Sequence, residues 1–151
     1  AVIFVMTLAA WITWTVFNVV LLPLNLVFLR TAVFILTIAS LVQLVEMFLK
    51  KSYRTLYNAL GIYLPLITTN CAILGITFLN IDNKFNLLNS TVFAIGTGFG
   101  FTLVIIVFAA IRERLDMAPI NPSLKGYPIS FIAAGLMALA FLGFGGLFGL
   151  T

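Results

Sequence analysis

The chain has one cysteine, and the residue types that could do chemistry gather around it. Cys71 lies in the stretch GIYLPLITTNCAILG, residues 61–75, with Pro65, Thr68, Thr69 and Asn70 just before it in an otherwise apolar run. A proline inside a helix removes a backbone hydrogen bond and clashes with the preceding turn. Lipid cannot satisfy the groups this frees, so such breaks are confined to places packed by protein or lining a cavity. Asn70 is placed to cap a new half-helix beginning near Cys71. The positive end of that helix would favour the anionic thiolate, the form of cysteine that metals bind. Thr68, Thr69 and Asn70 would hydrogen-bond around the sulfur or satisfy the broken backbone. The plainer alternative is a kinked helix whose cysteine is buried and inert, a small hydrophobe. One cysteine cannot complete a site, so the residues alone leave the plainer alternative ahead.

Other candidates are weaker. Glu46 follows Gln43 by three residues, on one face near the end of an apolar segment. A carboxylate inside the membrane suggests an ion or proton relay. Its closeness to Lys50 favours instead an interfacial, ion-paired residue. The run RERLD, residues 112–116, has the composition of a solvated helix end that fixes topology, rather than a docking surface. Glycines 96, 98, 100, 135, 143, 145, 146 and 149 can let helices approach closely. No phosphate loop, catalytic triad or paired-carboxylate site is present in the sequence.

The elements that must position these residues follow from composition. Of the 151 residues 63% are hydrophobic and 8% charged, and the mean hydropathy is +1.23. Soluble domains run near a quarter charged, so the composition is that of an integral membrane protein. Residues 1–29, 55–81, 85–111 and 126–151 carry no charge. Such runs match the roughly 20 residues that a helix needs to cross the bilayer. The short alternating strands of a barrel are absent. With a single cysteine and no histidine, neither a disulfide framework nor a self-contained zinc site is possible. The net charge of +4 reports membrane orientation rather than nucleic-acid binding.

Five apolar segments are expected, near 1–21, 30–49, 59–79, 91–111 and 129–149, making an all-α integral membrane protein of one transmembrane domain. Pro23 and Asn25 end the first, KKSYR closes the second, and RERLD ends the fourth. If all five cross, Lys50, Lys51, Arg54, Arg112, Arg114 and Lys125 fall on one side, and Arg30 and Lys84 on the other. The positive-inside rule then puts loops 50–58 and 112–127 in the cytoplasm and the C-terminus outside.

An internal echo suggests a duplication. LPLN at 22–25 and APIN at 118–121 share Pro-x-Asn, Pro23 matching Pro119 and Asn25 matching Asn121 at an offset of 96 residues. Three crossings separate the copies, so the repeats would be inverted, as in many transport proteins. Residues 1–49 would be the remainder of a first three-helix repeat and 59–151 the second. The counterpart of Cys71 would lie upstream of Ala1, in a first helix of six that this chain lacks.

The string LGIYLPLITTNCAILG, residues 60–75, resembles the signature of the RnfA/NqrE family, and LVQLVEM, FAAIRERL and AGLMALAFLGFGGL resemble further landmarks of it in the same order. The likeness covers essentially the whole chain, and the ITTNC and FAAIRERL forms favour the Rnf branch over NqrE. It implies a six-helix membrane subunit of two inverted repeats, each with a cysteine-bearing half-helix. It further implies a 2Fe–2S cluster shared with a homologous RnfE-like subunit of opposite topology, Cys71 being the second-repeat ligand, with Asn70 and Thr69 beside it. The complex would be an ion-translocating ferredoxin:NAD+ oxidoreductase of the bacterial inner membrane. FMN and further iron–sulfur clusters would belong to its other members (B, C, D and G-like), and no nucleic acid would be bound. An NqrE-type subunit of a quinone reductase is the near alternative. A redox-inactive inverted-repeat transporter or structural membrane subunit is the distant one.

Overall fold

The computed structural model describes residues 2–60, 66–67 and 70–147, with Leu60 described by its backbone alone. Among these residues there are helices and turns and no strand. Four helical stretches are long and apolar enough to cross a membrane: Val2–Leu21, Val27–Ser52, Leu87–Met117 and Tyr127–Gly146. They coincide with the first, second, fourth and fifth expected segments.

The first stretch is α1 (Val2–Val16) running into a π-helical turn, Phe17–Leu21. It ends in the turn 22–25, where Pro23 has no N–H to give and Asn25 takes a left-handed φ of 52°. A 3-10 turn, Val27–Leu29, leads into α2 (Arg30–Ser52). The third expected segment is not one continuous helix. The short α3 (Arg54–Leu60) ends at its start, and beyond it come a helical pair at 66–67 and α4 (Cys71–Asp82) of 12 residues. Pro65, expected to open the break, lies outside the described residues. Next come α5 (Leu87–Met117) and α6 (Tyr127–Leu142), the latter with Pro128 in its first turn and a 3-10 ending, Gly143–Gly146. Each Pro-x-Asn copy lies in a connection between two helices.

The chain divides into two compact units, Ala1–Phe101 and Thr102–Thr151, the boundary falling inside α5. In the first, α1 packs against both α2 and α4. Val5, Met6 and Ala9 of α1 meet Ile38, Leu41 and Val42 of α2, together with Ile67 and Ile73. Their spacing of three and four residues is one helical stripe on each partner. Phe34, fully buried, holds its ring 6.4 Å from that of Phe17 and 5.6 Å from that of Phe78. In lipid no hydrophobic drive brings helices together, so close packing of this kind must do so. Gly98 makes one such approach: a Cβ there would stand 2.9 Å from Ile3 Cγ1. A Cβ built at glycines 96, 100, 135, 143, 145 or 146 would meet nothing within 4 Å in this chain, so among the described residues the close approach is seen at Gly98. Gly149 lies outside the described residues.

α1 and the start of α5 run antiparallel. Trp11 Nε1 donates to Thr91 Oγ1 at 2.7 Å, while Ile3 faces Gly98 further along. Trp14 Nε1 donates to the Phe85 carbonyl at 3.0 Å, which ties the C-terminal end of α1 to the connection between α4 and α5. In the second unit, Ile111 and Leu115 of α5 share an apolar groove with Ile129, Ile132 and Leu136 of α6. None of the residues of α6 is buried.

Candidate intramembrane cysteine site

The sequence places an asparagine ahead of the cysteine, and in the structure it makes the expected cap. Asn70 has extended backbone angles, φ −75° and ψ 112°, as an N-cap requires. Its Oδ1 accepts from the Ala72 N–H at 3.0 Å, and its carbonyl accepts from the Ile73 N–H at 3.1 Å. Its own N–H donates to the Ile67 carbonyl at 3.1 Å. Asn70 thus joins the 66–67 turn to α4. Ile67 on one side and Ile73 on the other are buried in the core, so the break is pinned against α1 and α2.

Cys71 is the first residue of α4, and it is exposed on the chain. Within this chain the thiol is therefore not covered by the chain's own side chains. Eleven steps of about 1.5 Å separate it from Asp82, about 16 Å in all. The Asp82 end carries the charges Arg30, Asp82 and Lys84, which belong at the membrane–water boundary. Among the described residues no three His, Cys, Asp or Glu side chains gather as a metal site. A metal centre at Cys71 fits this donor set only if most of its ligands come from elsewhere, and an exposed thiol allows that. Thr68 and Thr69 lie outside the described residues.

The other sequence candidates are dispersed. Glu46 Oε1 accepts from the Tyr57 hydroxyl at 3.4 Å, while the Lys50 ammonium sits 5.8 Å from the Tyr57 ring. The expected Glu46–Lys50 ion pair is not formed; both residues turn to Tyr57 instead. Arg112, Glu113, Arg114 and Asp116 are exposed at the end of α5, as a solvated helix end should be.

One feature was missed by sequence reasoning. Arg30 Nη1 and Asp82 Oδ1 are 2.6 Å apart, and the guanidinium lies 4.8 Å from the centre of the Phe78 ring. This is the only ion pair within 4.0 Å among the described residues. Each partner ends a charge-free run, and the alternation of crossings put Arg30 on the side of the 80–84 connection. Those two facts together were the available signal.

Four helices long and apolar enough to span a bilayer, with a shorter apolar helix capped by Asn70, make this a multi-pass membrane protein. Residues 1–148 match the family described as Rnf-Nqr subunit, membrane protein, and the chain belongs to that family. It is 54% identical over 147 residues to the A subunit of the Na+-translocating ferredoxin:NAD+ oxidoreductase complex of Acetobacterium woodii, covering 97% of this chain and 77% of that one. The A subunit of an ion-translocating oxidoreductase complex from Syntrophotalea carbinolica is 52% identical, covering 97% of this chain and 76% of that one. The A subunit of a proton-translocating ferredoxin:NAD+ oxidoreductase complex from Clostridium ljungdahlii is 50% identical, with 97% and 76% covered.

Proposed function

We propose that this chain is the A subunit of an ion-translocating ferredoxin:NAD+ oxidoreductase complex, and that Cys71 ligates an iron–sulfur cluster inside the membrane. Membership of the family and the names of the relatives support the first part. The relatives name Na+ in one case and protons in another, so the coupling ion varies among close kin.

One observation carries the second part. A thiol at the first position of a capped half-helix is exposed on the chain about 16 Å, eleven residues, below the charged end of α4. A polarizable thiol exposed in mid-membrane is well suited to a centre shared between two chains. A 2Fe–2S cluster would supply a one-electron carrier there, its irons held by cysteine thiolates. This chain's part is to present the sulfur and fix its direction. The cap from Asn70 to Ala72 holds the first turn, and Ile67 and Ile73 hold the turn to the core. Asn70, the cap next to the thiol, and Thr69, its neighbour in sequence, would tune the sulfur by hydrogen bonding. The remaining ligands would come from a homologous subunit of opposite topology and from the first repeat. The membrane is the bacterial inner membrane, with loops 50–58 and 112–127 in the cytoplasm.

The test is Cys71→Ala and Cys71→Ser in the assembled complex. Iron content should fall and the membrane 2Fe–2S electron paramagnetic resonance signal should vanish, together with ferredoxin-dependent NAD+ reduction. A full signal with undiminished electron transfer in Cys71→Ala would show that the cysteine is not a ligand.

A further inference from the structure

The end of α2 remote from Arg30 is an elbow that gathers three basic residues. The stretch Val27–Ser52 is long and apolar enough to cross a membrane, so the chain leaves the hydrocarbon near Ser52. There α2 stops, the Tyr53 N–H donating to the Leu49 carbonyl at 2.9 Å, and α3 starts at Arg54. Lys50, Lys51 and Arg54 are all exposed. The one ion pair within 4.0 Å among the described residues joins Arg30 to Asp82, so none of these three cations is paired there. Glu46 is the only acidic residue before Asp82, it lies a turn further into α2, and its Oε1 accepts from the Tyr57 hydroxyl at 3.4 Å. Even with that carboxylate and the roughly half negative charge of a helix C-terminus counted, the elbow stays positive.

A hollow of about 510 Å³ opens beside these charges, lined by Ser52, Tyr53, Arg54, Thr55, Leu56 and Ala59. No acidic residue is among them. Arg54 supplies a planar guanidinium fork, which matches two oxygens of one phosphate. Ser52 and Thr55 add two hydroxyl donors. The rest of the lining is aromatic or apolar, with Tyr53 61% and Leu56 47% exposed. Tyrosine beside basic residues at the end of a spanning helix is the composition of the membrane–water interface. Unpaired cations next to exposed apolar side chains fit a ligand that is anionic at one end and hydrocarbon at the other. An acidic protein or a nucleic acid would match the charge alone. A phospholipid matches both, and the bilayer already holds it at the level where α2 ends.

We infer that the elbow between α2 and α3 binds the head group of an anionic phospholipid. Arg54, with Ser52 and Thr55, takes the phosphate, Lys50 and Lys51 add positive charge, and Tyr53 and Leu56 meet the glycerol and the upper acyl chain. The Lys50 ammonium, 5.8 Å from the Tyr57 ring, is drawn towards α3 and so towards the hollow. Under the orientation proposed above this is the cytoplasmic leaflet. The site depends neither on that orientation nor on a cluster at Cys71.

The test reads the lipid at this place and not the lipid content of the whole complex. Asn58 follows Arg54 by four residues on the same face of α3, is exposed, and lies outside the lining of the hollow. The photoreactive residue benzoylphenylalanine replaces Asn58 in the intact complex, held in nanodiscs of equal phosphatidylglycerol and phosphatidylcholine with the same acyl chains. After illumination, mass spectrometry of the peptide gives the ratio of the two lipid adducts. Phosphatidylglycerol should predominate. One basic residue near a membrane surface is worth about fivefold, so Lys51→Gln and Arg54→Gln together should lower the ratio roughly 25-fold, each alone about fivefold. Lys84→Gln removes the same charge at the Arg30 end of α2 and should leave the ratio unchanged. All three side chains are exposed, so none of these variants disturbs the packing. Equal adducts of the two lipids would overturn the inference, as would a ratio that the double variant changes less than twofold, or that Lys84→Gln lowers as much as Arg54→Gln does. Cross-linking to another subunit in place of lipid, or no adduct at all, would overturn it too.

Discussion

Replacing Asn70 by alanine removes the side chain that starts α4 while leaving Cys71 untouched. The lost interaction is the 3.0 Å bond from Ala72 N–H to Asn70 Oδ1. N-cap losses cost about 1 kcal/mol and at most about 2. The Ala72 N–H is part-buried, so water replaces the lost bond only incompletely and the upper half of that range applies. A cost of about 1–2 kcal/mol raises the opened population of the first turn roughly 5- to 30-fold. Amide hydrogen exchange reads that population directly where local opening governs exchange. In the complex held in nanodiscs, exchange over residues 71–74 should quicken by that factor in Asn70→Ala, with no change within α6. Asn70→Ser keeps an acceptor oxygen and should restore most of the protection. On the proposed ligation of a cluster by Cys71, the iron–sulfur signal should fall with Asn70→Ala and recover with Asn70→Ser. Exchange unchanged within twofold in Asn70→Ala, or equal in the two variants, would refute the role assigned to the cap.

Two further outcomes follow from the packing of the first unit. Gly98→Leu forces a side chain into a space where even a Cβ would meet Ile3 Cγ1 at 2.9 Å and Ile3 Cα at 3.3 Å. Overpacking of this kind costs about 1–3 kcal/mol, so the melting temperature of the complex should drop, while Gly100→Ala, with nothing within 4 Å, should not lower it. Arg30→Gln and Asp82→Asn, taken singly and together, should show a coupling of about 0.2–1 kcal/mol in a double-mutant cycle, because the pair is 28% and 54% exposed and solvent screens it. Coupling above that range would mean that the membrane boundary leaves the pair effectively dry.

The break at Cys71 was legible because it violates its surroundings. Pro65, Thr68, Thr69 and Asn70 interrupt a run where lipid tolerates only apolar side chains, and the Asn–Cys order marks a cap without reference to any distant residue. The Glu46–Lys50 pairing failed for a local reason. Tyr57, on the following helix, meets both residues, and sequence spacing along α2 gives no information about a neighbour across a turn.

The sequence by itself determined the class of protein, the number of apolar segments and the place of the half-helix. Charge-free runs of about 20 residues and one interrupted run leave little else possible in a bilayer. It could not say which face of each helix meets protein. Lipid-facing and core-facing positions are both apolar here, so Phe34 at 0% exposed and Phe28 at 79% read alike in the sequence. Tertiary structure alone decided that Arg30 would find Asp82, that Gly98 would admit Ile3, and that Asn80, three residues short of the Asn83 that caps the end of α4, would be buried and unmatched. Each depends on residues from separate helices meeting at one level, which follows from how α1 seats against α4 and α5 and not from any local pattern.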